Sequence, residues 1–450
     1  MRYYSTRGKN DPVSFAEAAL AGLAPDGGLY IPGEIPQYSQ SVKSSLGTMA
    51  YTDIALETIK PWVEGDIPLG VLEEMIHWAY PFTAPLIKAG GRLVLELFHG
   101  PTAAFKDFGA RFMARSFSYL RRGEDRPLTI LTATSGDTGG AVADGFFGVE
   151  NTFVTILYPK DRISILQEKQ IAGFGENIRA IAVEGSFDDC QRLVKEAFAD
   201  QDLRTRLALA SANSINVSRL VPQIAYYSAA AGRILSALSD PDAEASPRRK
   251  GFQETSASLT GENAVFSVPS GNFGNLTAGL YAYKMGAPIK GFIAATNINR
   301  TIPDYLEKGY YEARLSQATI SNAMDVGAPS NFERIASHFT WEELRKIVVG
   351  ASVSDEETRK TILEVFNRGY YLDPHSAVAW KAAEKLEDSG VLSKKAAIIS
   401  TAHPAKFAET LEVLVGPVEL PPSLAKVMGR EVRTRTIPAE LDALKEEILL

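Results

Sequence analysis

Residues 128–146, LTILTATSGDTGGAVADGF, change character twice within a short span. The opening LTILTA is apolar, β-branched and bounded by turn formers, which predicts a buried strand. TSGDTGG then supplies a polar glycine loop, and AVADGF reopens as a helix. A strand that runs through such a loop into a helix is half of a parallel strand–helix–strand unit. The same order returns on either side. FVTILYPK (153–160) and IRAIAVEG (178–185) read as strands, as does the start of AVFSVPSGNFGNLTAGLYAYKMG (264–286), and IKGFIAATN (289–297) and AAIISTAHPAKF (396–407) repeat the theme. This alternation predicts an α/β fold with parallel-type sheets covered by helices.

A chain of 450 residues is too long for one compact core, so two or three domains are expected. Hydrophobic residues at 45% and charged residues at 22% provide for large buried cores and argue against wholesale disorder. The net charge of -7, without long blocks of one sign, argues against nucleic acid as a partner. Cys190 stands alone, which excludes an intramolecular disulfide framework and argues against a cysteine zinc site. The histidines show no ligand spacing, and no metal is expected. MRYYSTRGKNDPVSF has no apolar signal core and no long apolar run follows, so a cytoplasmic protein without a membrane span is expected. SFAEAALAGLAPDGGLYIP, from Ser14, predicts a serine-capped helix that stops at Gly22, then a turn and a short strand. The polar stretch 239–263 reads as a surface insertion, and LDALKEEILL at the end as an amphipathic helix docked on the body.

In open parallel sheets ligands bind beyond the carboxyl ends of strands. Four such junctions carry polar groups. In PSGNFGN (269–275), Gly271 and Gly274 permit close backbone approach to an anion and the amides that open the next helix can donate to it; alone, the loop reads equally as a tight turn. SGDTG offers Ser135, Asp137 and Thr138; a serine-protease reading fails because the surroundings are α/β and free of disulfides. NSINVSR (213–219) gathers Asn213, Ser214 and Arg219, a donor set for a phosphate or carboxylate, or else a capped helix with an exposed arginine. In STAHPAKF (400–407), Thr401 presents a neutral hydroxyl, while His403 and His375 read as structural.

Lys106, in FHGPTAAFKDFGARF (98–112), follows Phe105 and precedes Phe108. It reads either as a snorkelling lysine or as an amine made nucleophilic by desolvation. The second reading needs an aldehyde, and the common protein-bound one is pyridoxal 5'-phosphate. Beside that cofactor's pyridine nitrogen, a hydroxyl such as that of Thr401 would leave the ring largely unprotonated.

Together these segments resemble the threonine synthase family, in its long-chain branch. YYSTRG with GLAPDGGLYIP is similar to that branch's N-terminal signature, HGPTAAFKDF to its lysine motif, and SGDTG, PSGNFGN and TAHPAKF follow in the family's order. The resemblance implies the pyridoxal phosphate fold type II, with an N-terminal mixed domain at 1–90, a large cofactor-binding domain at 91–110 and 216–450, and a small mobile domain at 111–215. It implies that Lys106 binds the cofactor covalently and shuttles protons, that Gly271, Asn272, Phe273, Gly274 and Asn275 hold its phosphate, and that Thr401 meets its ring nitrogen. Ser135, Asp137 and Thr138 would receive the substrate carboxylate, and Asn213, Ser214 and Arg219 would lie near the substrate phosphate. The implied reaction takes O-phospho-L-homoserine and water to L-threonine and phosphate, in a monomer or homodimer.

Overall fold

The computed structural model describes residues 1–134, 136–239, 263–392 and 395–449. Ser135 and nearly all of the polar stretch expected as a surface insertion lie outside the described residues. In chain order the strands are β1 (Tyr3–Ser5), β2 (Tyr30–Pro32), β3 (Leu86–Ala89), β4 (Arg92–Glu96), β5 (Leu128–Ala133), β6 (Thr152–Pro159) and β7 (Ile178–Glu184). They continue as β8 (Ala208–Ala210), β9 (Ala264–Pro269), β10 (Ile289–Thr296), β11 (Val348–Ser352), β12 (Ala397–Ser400) and β13 (Thr434–Pro438).

Two sheets form the body. One has the order β11-β10-β9-β12-β4-β3, and the other β13-β7-β6-β5-β8. Every pairing in them is parallel except β3 with β4. All six residues of β5 are buried, which is why the stretch reads as an unbroken apolar run instead of an alternating one. Antiparallel β1 and β2 form a third, small sheet. Ser14 and Glu17 make a reciprocal capping box at the start of the helix Phe15–Ala21, and Gly22 ends it at φ 72°. No described helix is long and apolar enough to cross a membrane.

Three features of the structure run across the expected domain boundaries. The helix Lys106–Leu120 runs unbroken through the boundary expected between residues 110 and 111. Residues 86–89 belong to the six-stranded sheet, not to the N-terminal unit, because β3 closes the exposed edge of β4. Residues 434–449 leave the 216–450 unit: β13 pairs with β7, and the helix Leu441–Leu449 buries Leu444 and Ile448 in the five-stranded sheet's core. This covers an edge that would otherwise expose unpaired amides.

An aromatic cluster supports the start of the helix Lys106–Leu120 from behind. Phe108 meets Tyr51, Phe82 and Tyr226 edge-on at 5.1–5.6 Å between ring centres, and the Tyr80 hydroxyl donates to the Phe108 carbonyl at 3.0 Å. Aromatic pairs of this geometry contribute about 0.5–1.5 kcal/mol each beyond their buried area. At Gly109 a Cβ would lie 2.6 Å from the Arg219 carbonyl oxygen, so only glycine lets this helix approach the turn Val217–Leu220.

Candidate active site

The carboxyl ends of β5, β9 and β12 open onto one cavity of about 1140 Å³. Lys106, Asp137, Thr138, Asn213, Ser214, Arg219, Thr401 and residues 271–275 all line it. Segments far apart in the chain are brought together because each leaves its strand at the same edge of a sheet.

Lys106 is the first residue of its helix, and the loop before it is tied down on two sides. The Phe105 amide donates to the Thr401 carbonyl at 2.8 Å, and Ala104 bridges Ala402, which anchors the loop to the end of β12. The buried Asp107 carboxylate accepts from the Thr102 amide (2.9 Å) and hydroxyl (2.5 Å). From this rigid start the Lys106 Nζ stands 3.6 Å from Asp137 Oδ2.

Asp137 is bound on its other oxygen. Lys406 Nζ lies 2.9 Å from Oδ1, and Gln167 donates to the same atom at 3.1 Å. Burial alone would raise the Asp137 carboxyl, but the Lys406 and Lys106 charges and the hydrogen bonds from Lys406 and Gln167 outweigh it and hold the group well below the usual carboxylate range. Burial pushes the Lys106 amine down, Asp137 opposes this, and the charges of Lys406 and Arg219 push the same way as burial. The site therefore favours a neutral amine more than water would.

At PSGNFGN, Phe273 adopts the left-handed conformation (φ 61°) and hands the chain to the helix Gly274–Met285. The Thr277 amide bonds to the Phe273 carbonyl, so the amides that precede it at the helix start have no acceptor within the helix. A Cβ on Gly271 would lie 2.7 Å from the Ala323 carbonyl oxygen, which keeps this wall of the cavity bare backbone. The Asn272 side chain is engaged, its oxygen accepting from the Ser330 amide and hydroxyl at 3.3 Å. Asn275 differs: its buried Nδ2 has no partner among the described residues.

Arg219 is buried, not the exposed arginine of the alternative reading. Its Nη1 donates to the Ala212 carbonyl at 2.7 Å, its Nε has no partner among the described residues, and burial lowers its pKa to about 10. Of the neighbouring polar residues, Asn216 and Ser218 are structural: Asn216 caps the turn Val217–Leu220 and accepts from Ser218. Asn213 accepts from the Thr132 hydroxyl at 2.5 Å. His375 also lines the cavity; the Ala323 amide donates to its Nε2 (3.3 Å), so its Nδ1 carries the proton shared with Asp373 at 2.9 Å. That bond pattern keeps it structural, holding the segment opposite Gly271.

Sequence reasoning missed Lys406 and Gln167, which hold Asp137, and the hydroxyls of Tyr226 and Tyr227, which both donate to Asn275 at 2.7 Å. For Lys406 a signal was present, a lysine between alanine and phenylalanine just after a strand end. Gln167 and the tyrosines sit in ordinary helical patterns that carry none.

These groups fit pyridoxal phosphate. A largely buried primary amine, a bare backbone wall at Gly271, helix-start amides without an acceptor inside the helix and an Asn275 donor unpaired among the described residues match an aldehyde that carries a phosphate.

The family model "Threonine synthase N terminus" matches residues 2–80, "Pyridoxal-phosphate dependent enzyme" matches residues 84–402, and "Threonine synthase, C-terminal" matches residues 376–448. A threonine synthase of Escherichia coli is 41% identical over 449 residues, covering 99% of each chain. Its namesake from Saccharomyces cerevisiae is 34% identical over 473 residues, covering 91% of this chain and 88% of its own. Two crystal structures are also similar. Threonine synthase from Escherichia coli aligns with a TM-score of 0.86 at 40% identity, covering 100% of this chain and 99% of its own. Pyridoxal-phosphate-bound threonine synthase from Brucella melitensis aligns with a TM-score of 0.86 at 36% identity, covering 100% and 98%.

Proposed function

The chain belongs to the threonine synthase family, and on that footing we propose how its own residues divide the work. The reaction is the conversion of O-phospho-L-homoserine and water to L-threonine and phosphate, with pyridoxal phosphate as cofactor. When bound, the cofactor supplies an electron sink that acidifies the substrate's carbon atoms next to it.

Lys106 would hold the cofactor through its aldehyde carbon, and its amine would take the proton from the substrate's Cα and then one from Cβ. Phosphate departs from Cγ, the amine returns its two protons to Cγ and Cα, and water adds its hydroxyl at Cβ as its remaining proton goes to the released phosphate. For this the amine must be neutral when it receives each proton, and burial beside Lys406 and Arg219 favours that form. Gly271, Asn272, Phe273, Gly274 and Asn275 would hold the cofactor's phosphate through backbone amides and the Asn275 carboxamide, and Thr401 would meet the ring nitrogen.

Ser135 and Thr138 are assigned to the substrate carboxylate. Asp137 is not, because an ionised carboxylate repels another, and its oxygens are already taken by Lys406, Gln167 and Lys106. Asn213, Ser214 and Arg219 are assigned to the substrate phosphate, whose nearly two negative charges need a cation in a buried site. The five-stranded sheet, which carries Asp137 and Thr138 at its edge, is the part proposed to close over substrate and exclude water. The assembly proposed is a monomer or a homodimer. A reducing compartment such as the cytoplasm suits a chain whose lone cysteine is buried.

One observation carries this division of labour: the partly unpaired Arg219 guanidinium and the Lys106 amine line the same cavity as the PSGNFGN backbone. The test has two halves. Borohydride reduction followed by peptide mass spectrometry should find the pyridoxyl group on Lys106, and an adduct on another lysine overturns the assignment. Incubation with O-phosphohomoserine should yield threonine; a keto acid as main product would mean that elimination outruns water addition.

A further inference from the structure

Asp137 is wedged between two lysines. Lys106 Nζ stands 3.6 Å from one oxygen and Lys406 Nζ 2.9 Å from the other. Lys406 is 1% exposed, and its second bond, at 2.8 Å, goes to the Thr102 carbonyl, which also accepts from Gln170 at 3.0 Å. Thr102 in turn holds Asp107, the residue after Lys106. One ammonium thus ties the helix start at Asp137 to the loop that presents the working amine. A lysine buried this completely is costly unless it is paired, and a lysine needed only for packing would be cheaper as leucine or methionine.

We propose that Lys406 is a positioning residue for the reaction: it occupies the Asp137 carboxylate so that this carboxylate orients Lys106 without trapping it as an ammonium. If Lys406 were removed, Asp137 would keep Lys106 as its nearest cation, and a buried ion pair of two partners would lock Lys106 in its protonated form. If Asp137 were removed with Lys406 kept, Lys106 would face two cations, Lys406 and Arg219, and would lose its proton more readily. Among the described residues, Asp107 and the imidazole of His403 also lie within reach of the Lys406 charge. The two substitutions therefore shift the protonation of the Lys106 nitrogen in opposite directions, a signature that general loosening of the structure does not produce.

This inference rests on Lys106 being the cofactor lysine, so its test keeps the two apart. One portion of holoenzyme carrying Lys406→Met, Asp137→Asn or both is reduced with borohydride, to confirm the pyridoxyl group on Lys106, and the pH titration uses a second, unreduced portion. The pH midpoint of the bound cofactor's visible absorbance is then measured without substrate. Lys406→Met should raise the midpoint by about one unit or more, Asp137→Asn should lower it, and the double variant should fall between them. In steady state, Lys406→Met should lower kcat by at least about tenfold with a smaller change in KM, and Lys406→Arg should recover part of the loss. If Lys406→Met does not fold, Lys406→Gln serves in its place, and the downward shift in Asp137→Asn still stands as a separate requirement. An adduct on another lysine would overturn the assignment of Lys106 and this inference with it. An adduct on Lys106 with unmoved midpoints, or with both moving the same way, would overturn the role of Lys406 alone.

Discussion

The side-chain oxygen of Asn275 accepts the Tyr226 hydroxyl at 2.7 Å, and the Tyr227 hydroxyl reaches the same atom at 2.7 Å. Two donors on one oxygen fix which way the carboxamide faces and leave its nitrogen as the unpaired donor. Asn275→Ala should therefore weaken cofactor binding by roughly 10- to 100-fold, the range for losing one hydrogen bond to a charged group. Tyr226→Phe alone should do little, since Tyr227 still holds the oxygen, whereas the double Tyr226→Phe/Tyr227→Phe variant should approach Asn275→Ala. Absorbance titration of the resolved protein with pyridoxal phosphate measures all three.

Arg219→Ala removes the buried guanidinium proposed to meet the substrate phosphate. Truncating one partner of a desolvated charge pair costs on the order of 2–5 kcal/mol, so kcat/KM should fall by roughly 30-fold to several thousand-fold. The cofactor should still bind and give its visible colour, because its own phosphate is assigned to residues 271–275. Near-normal kcat/KM in a folded, coloured variant would mean that the substrate phosphate is held by other groups.

Arg334 has no carboxylate partner among the described residues although it is fully buried. Its guanidinium donates to the carbonyls of Tyr30 (3.0 Å) and Ile215 and to the Asn331 side chain (2.6 Å). It thereby joins the small N-terminal sheet, the 213–219 loop and the segment that supports Asn272. Arg334→Met leaves three acceptors unsatisfied and should cost about 3 kcal/mol or more. A thermal melt should show Tm lowered by about 3 °C; an unchanged Tm would mean that these three segments hold together without it.

His338 supplies a pH dependence. Burial, with the charges of Lys284 and Arg334, lowers its pKa to about 4, and its Nε2 lies 3.0 Å from the Tyr281 hydroxyl. The unfolded chain takes up the proton near pH 6.5 while the folded chain does not, so the unfolded state binds more protons between pH 6.5 and 4. Stability from this group is complete above about pH 6.5 and falls as the pH drops toward 4, by about 2 kcal/mol after allowance for partial exposure. His338→Gln should flatten that part of the Tm-against-pH curve; identical curves for the two proteins would remove His338 as a source of the acid sensitivity.

The sequence by itself determined the strand–loop–helix units, the serine cap at Ser14, and the order in which Lys106, SGDTG, PSGNFGN and Thr401 follow one another. Those features are local: apolar periodicity, glycine at turns and capping residues act over a few neighbouring positions. The tertiary structure alone decided that β13 returns to the five-stranded sheet, that Arg219 is buried without a carboxylate, and that Asp137 is shared by Lys106 and Lys406. A strand edge takes whichever segment reaches it, and a carboxylate pairs with whichever cation the packing brings within a few ångströms. Sequence distance constrains neither, which is why Lys406 could stand inside a quoted motif and show its purpose only once the chain was folded.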